Sequence, residues 1–224
     1  MKKILLLVLM PLILSCEIQY DGNTKLVIKG SVVNENNVPL ANKEVNLYVS
    51  RESISIPFVF YVPSENNYIG KTTTDDYGKY VMVIPKPKNF TEIVVETNDE
   101  NNQLNGKQFR NMNFSNFTNY QIELPITKLY LKSTLTSLNV TLNNVNPNIE
   151  LLKLEYIGII PNEIEFINPL ENDYQNFATY LNVVKNQTIT IKYTVFNNLN
   201  QTTSTLQQDI SIDNSNQVNY TLNY

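Results

Sequence analysis

The apolar residues of this chain come in short runs, and that spacing decides what it can fold into. Runs rich in Val, Ile, Thr, Tyr and Phe occupy 26–33, 44–49, 80–84, 92–97, 121–124, 138–142, 151–160, 188–196, 209–212 and 218–222. Asn, Asp, Gly and Pro separate them, the residues that close strands and make turns. No long stretch combines a clean 3.6-residue repeat with helix caps; only 174–184 reads as one or two helical turns. Short strands at regular spacing imply sandwiches or barrels. About 200 residues exceed one small sandwich. The expected fold is therefore all-β, with two consecutive β-sandwich domains.

The expected boundary is Pro125, because residues 121–124 read as a closing strand and Pro interrupts sheet pairing. Five of the six glycines lie before it and only Gly158 after it. The first domain is thus expected at 26–124 and the second at 125–224.

Composition removes several chemistries. The 224 residues include no His, no Trp and one Cys. No Ser-His-Asp triad, Cys-His dyad or His-ligated metal site can be built from such a chain alone. A single Cys forms neither an internal disulfide nor a redox pair. No cofactor is implied, since phosphate-loop and dinucleotide patterns are absent. The balance of 17 basic against 21 acidic residues argues against nucleic acid, which is bound by basic patches. The chain is polar mainly through its 35 asparagines.

The N-terminus has the layout of a secretory signal. Lys2 and Lys3 precede an apolar run at 4–14, and the small Ser15 precedes Cys16. The run is shorter than the roughly 20 residues a spanning helix needs. Ile13-Leu14-Ser15-Cys16 resembles the lipobox of bacterial lipoproteins, with Ile13 where Leu is commonest. The resemblance implies a signal peptide at 1–15, cleavage before Cys16, and acylation (palmitate) of that Cys. It places the chain in the cell envelope, at the outer membrane of a Gram-negative bacterium. Residues 16–25, the lipidated Cys and a polar linker, are expected to lift the folded part off the bilayer.

A second resemblance covers 26–124. It is carried by Lys29-Gly30-Ser31-Val32-Val33, Val38-Pro39-Leu40-Ala41-Asn42, Val45-Asn46-Leu47, Gly70 and Thr74-Asp75-Asp76-Tyr77-Gly78-Lys79-Tyr80. This pattern is similar to the carboxypeptidase regulatory-like domain, a small transthyretin-like or Cna-B-like sandwich. The resemblance implies a non-catalytic module in which the Asp75-to-Gly78 turn is structural. Residues 51–68 depart from the pattern. They carry Ile54, Ile56, Phe58, Phe60 and Val62 at spacing two, as an extended hairpin would. An exposed apolar edge there would dock a partner, which makes Phe58 and Phe60 binding candidates.

Three further groups are candidates. Phe114, Phe117 and Tyr120 recur every three residues amid Asn and Ser. Such rings cover a core edge or stack on a glycan. Asp75 and Asp76 read as turn residues rather than calcium ligands. Glu163, Glu165, Glu171 and Asp173 form the best arrangement for carboxylate-dependent glycoside hydrolysis. The alternation of Glu163 and Glu165 with Ile164 and Phe166 instead suggests a strand with a wet face. The function expected is a membrane-anchored, non-enzymatic binding or accessory module. Its partner would be an outer-membrane or cell-surface protein, or a glycan. The alternative is a pilin-like or adhesin-like surface-assembly subunit.

Overall fold

A computed structural model describes residues 18–51, 54–56, 60–62, 65–88, 90–168 and 177–224. Cys16, Phe58, Glu171 and Asp173 lie outside these residues. The chain is all-β, with two hydrophobic cores, each enclosed by two sheets.

The first sandwich begins with β1 (Tyr20–Asn34), which pairs antiparallel with β6 (Lys79–Pro87). On its other side β1 pairs in parallel with β9 (Gln121–Glu123) and then with β10 (Thr127–Leu129). The facing sheet runs β5 (Glu65–Thr73), β2 (Glu44–Arg51), β7 (Glu92–Asn98), β8 (Lys107–Met112) and β13 (Ile164–Phe166). Strand periodicity explains the core. In β6, Tyr80, Met82 and Ile84 point inward while Val81 and Val83 stay more than half exposed. Leu26 and Ile28 of β1 meet Leu47 of β2, Ile93 of β7 and Phe109 of β8, all at 0% exposure. Burying each such side chain contributes about 1.5–3 kcal/mol. A separate short hairpin pairs β3 (Ile54–Ile56) with β4 (Phe60–Val62), so the backbone at Phe60 is extended as its spacing implies.

The second sandwich packs β14 (Tyr180–Val184), β11 (Leu135–Asn143) and β17 (Gln217–Asn223) against β12 (Ile149–Ile157), β15 (Gln187–Asn197) and β16 (Thr202–Ile212). Leu138, Val183 and Leu222 from one sheet meet Ile189, Ile191 and Ile212 from the other.

Four expectations change. Residues 180–184 form a strand, not a helical turn, because Leu181 and Val183 alternate toward the core. The sheet takes up the chain from Tyr20, so residues 20–25 are strand rather than tether. Tyr20 pairs with Pro87 and Lys25 with Pro85 across a bulge. The carboxylate of Asp21 makes that bulge by accepting from the Asn23 and Thr24 amides. The first core continues past Pro125, with Leu129 fully buried in it. Finally, β13 lies in the second half of the sequence but extends the facing sheet of the first sandwich, pairing in parallel with β8.

Candidate functional site

The three aromatics at 114, 117 and 120 meet at one end of the first sandwich. After β8, Asn113 caps a single 3-10 turn at Phe114–Asn116. Its side chain accepts from the Ser115 amide, and the Asn116 side chain accepts from the Asn113 amide. This cap turns Phe114 outward, to 37% exposure, and Phe117 inward, to 9%. Phe117 belongs to the first core.

The chain then reverses between Thr118 and Gln121, whose backbones exchange two hydrogen bonds of 2.9 and 3.0 Å. Asn119 and Tyr120 occupy the two central positions with φ of 49° and 63°. A two-residue hairpin of this hand favours Asn-Gly, because the second position needs left-handed backbone. Tyr120 sits there instead of glycine at a cost of about 1–2 kcal/mol. What that strain holds in place is a ring that is 52% exposed and lies 6.1 Å from Phe114, centroid to centroid. Phe117 flanks Phe114 at 6.4 Å in a stacked arrangement.

Lys86 completes the cluster. Its Nζ lies 3.7 Å from the Phe114 ring centroid, a cation–π contact. One face of Phe114 is therefore covered by Lys86, and Tyr120 is the ring most open to solvent. Lys25 and Lys88 are exposed at the adjoining ends of β1 and β6. Asp21 is the acidic residue of β1. Hydrogen bonds from Thr24 hold its carboxyl below the ordinary value, and the Lys86 charge adds to the effect. In the facing sheet, Glu92 is already engaged by Arg110 at 2.6 Å and by the Asn111 amide.

Backbone bonds fix this cluster to the start of β1. The Tyr120 carbonyl accepts from the Val27 amide at 2.9 Å, and the Lys88 amide donates to the Gln19 carbonyl at 2.7 Å. Lys86 was not a candidate from sequence, since it meets Phe114 only through the β1–β6 pairing. A Lys-Pro-Lys sequence at 86–88 was the one local sign that this strand end is solvated.

The other candidates fall elsewhere. Asp75 accepts from the Tyr77 and Lys79 amides at 2.9 and 2.8 Å, and Gly78 takes φ of +70°. Both act in the turn into β6. Glu165 pairs with Lys107 at 2.8 Å, while Glu163 accepts from Asn182 Nδ2 at 3.2 Å. Ile164 and Phe166 are exposed, at 44% and 43%, and so is Glu163. The glutamates are solvated as expected, but Ile164 and Phe166 are exposed too, because β13 sits at a sheet edge among the described residues; Glu165 is turned to Lys107. Glu163 borders two polar clefts of about 250 and 270 Å³, one beside Asn105 and Asn182, the other beside Glu96 and Gln108. Among the described residues no group of three or more Asp, Glu, Cys or His is placed to hold a metal.

No family model matches the chain, and no curated protein matches it. Solved structures do. The Bacillus anthracis TIE protein aligns over 90% of this chain at 15% identity and a TM-score of 0.33, but this chain spans only 34% of that one. The shaft pilin SpaA of Lactobacillus rhamnosus GG aligns over 89% of this chain and 97% of its own, at 11% identity and a TM-score of 0.36. GBS52, the minor pilin of Streptococcus agalactiae, aligns over 88% and 94%, at 10% identity and a TM-score of 0.27. The all-β, two-core architecture stands on the molecule's own sheets.

Proposed function

We propose that this chain is a cell-envelope lipoprotein acting as a non-enzymatic surface subunit. In this reading the signal is cleaved before Cys16, and acyl chains on Cys16 hold two β-sandwiches at the outer membrane. The observation that carries it is the position of the only cysteine. It follows the apolar run at 4–14 directly and stands four residues before the first strand. Each buried methylene of an acyl chain contributes about 0.8 kcal/mol, so two or more chains anchor firmly. The test is membrane fractionation with mass measurement of the N-terminal peptide. A diacylated or triacylated Cys16 peptide, and release of Cys16→Ser from the membrane fraction, are the expected results. An unmodified N-terminal peptide from membrane-derived protein would end the proposal.

Between an accessory module and an assembly subunit, one observation favours assembly. Strand β17 pairs with β11 on one side, and among the described residues its other edge has no partner. The pairing is parallel, with Asn139 beside Asn219 and Asn143 beside Asn223. Their amides are joined at 3.1 and 2.7 Å. Stacked amide ladders of this kind extend readily to a further strand. Natural edges are usually blunted by charge or proline. Strand β6 carries Pro85, Pro87 and two lysines, whereas β17 carries neither charge nor proline. Light scattering across a concentration series should show concentration-dependent polymers; a strict monomer at high concentration would sink the assembly reading and leave the accessory one.

A further inference from the structure

We propose that the Phe114–Tyr120–Lys86 end of the first sandwich seats on the bilayer that holds Cys16. The inference rests on the lipid anchor proposed above and adds where and how the folded body meets the membrane. Chain length comes first. Two residues separate Cys16 from Gln19, whose carbonyl is tied to the Lys88 amide. Those three steps of fully extended chain reach about 10 Å. The headgroup region of one leaflet is about 5–8 Å deep. The end of the sandwich bearing Gln19 and Lys88 therefore cannot stand clear of the surface.

Chemistry comes second. The same end presents Tyr120 and Phe114 with Lys86 over the Phe114 ring, and exposed Lys25 and Lys88 on the paired strand ends of β1 and β6, on a chain whose net charge is −4. Rings with polar tips gather at the membrane–water interface. Lysines bury their stems while their ammonium groups meet lipid phosphates. Tyr120 is the third part of the argument. It holds a left-handed position that glycine fills without strain, so the ring is kept there against local conformational preference. A bilayer uses all three features together. The anchor and the cluster then act as two linked contacts, so the sandwich has one preferred orientation on the membrane rather than swinging from a tether.

The absence of Trp from the chain supplies a clean probe. Full-length lipidated protein carrying Tyr120→Trp, or Phe114→Trp as a second reporter, is reconstituted into phosphatidylethanolamine–phosphatidylglycerol vesicles. Vesicles with brominated acyl chains are compared with unbrominated ones. Leu199→Trp, at a position 75% exposed in the second sandwich, serves as the reference. Emission from position 120 or 114 should fall about twofold or more with brominated lipid, as for a ring at the headgroup–acyl boundary, while position 199 is unchanged. Adding Lys86→Glu and Lys88→Glu should weaken that quenching. If the protein floats with vesicles but neither reporter is quenched beyond Leu199→Trp, the seat is refuted and the cluster is free for a soluble partner. If it does not float at all, the anchor itself fails and the seat falls with it.

Discussion

Replacing Gly78 by alanine tests how the first sandwich is closed. Gly78 has φ of +70°, where an L side chain costs about 1–2 kcal/mol. The new Cβ would also overlap the Val32 carbonyl oxygen and crowd the Leu40 amide at 3.1 Å. Those neighbours are backbone and cannot rotate aside. Relief therefore means moving β1 away from the turn and straining two hydrogen bonds. One runs from the Val32 amide to the Gly78 carbonyl at 2.8 Å, the other from the Leu40 amide to the Val32 carbonyl at 3.0 Å. At about 1 kcal/mol each, the total is about 2–4 kcal/mol. The reference is Gly70→Ala, where nothing lies within 4 Å and φ is ordinary. It should stay within about 0.5 kcal/mol of the parent. Urea unfolding followed by circular dichroism reads both. With a slope of about 2–3 kcal/mol per molar, Gly78→Ala should lower the midpoint of the first sandwich by about 1–2 M. Equal midpoints for Gly78→Ala and Gly70→Ala would refute the reasoning.

Other outcomes follow from the same structure. Tyr120→Gly should unfold at the same or higher urea concentration than the parent, because relief of left-handed strain offsets the lost ring contacts; a clear loss of stability would show the ring to be part of the core. Asp99 accepts from Lys43 at 2.6 Å and from the Gln103 and Leu104 amides, which together hold its carboxyl below the ordinary 3.8. Its contribution is therefore complete above that value and lost as pH falls through the lower folded one. Asp99→Asn should be less stable than the parent at pH 7, and the gap should close on acidification; a gap constant with pH would contradict this. Phe109→Ala, at a site fully buried in the first core, should cost about 3–5 kcal/mol in urea unfolding. A cost below about 1 kcal/mol would mean that the core packs otherwise.

Local pattern was legible where one face of a strand is buried against the strand beside it. Alternation in β6 and β15 marks Tyr80, Met82, Ile189 and Ile191 as core. The Asp75-to-Gly78 turn could be read because its chemistry is confined to five residues. Pairing between distant segments could not be read. Nothing local to Ile164-Glu165-Phe166 says that its partner is β8, more than fifty residues earlier, since sheet register is a property of two strands at once. The start of β1 was missed because Asp21, Gly22 and Asn23 look like a tether, and they are in fact a bulge in a paired strand. The aromatic triplet was visible as a pattern, but its tilt, with Phe117 inward and Tyr120 outward, depends on the Asn113 cap and the Asn119–Tyr120 reversal. Lys86 joins the cluster only through the fold.

The late arrival of β13 has a consequence for how the chain becomes itself. The β8 edge of the first sandwich is covered by residues 164–166, held further by Asn168, whose side chain donates to the Asn111 carbonyl at 2.7 Å and bonds with Asn116. During synthesis the segment up to Leu129 can collapse first, yet its outer strand stays bare until some forty more residues have emerged. A bare edge is an invitation to pair with the wrong neighbour. A chaperone that shields strand edges would therefore matter most in that interval. The two sandwiches, adjacent beads along the sequence, mature as one object whose first half is finished by its second.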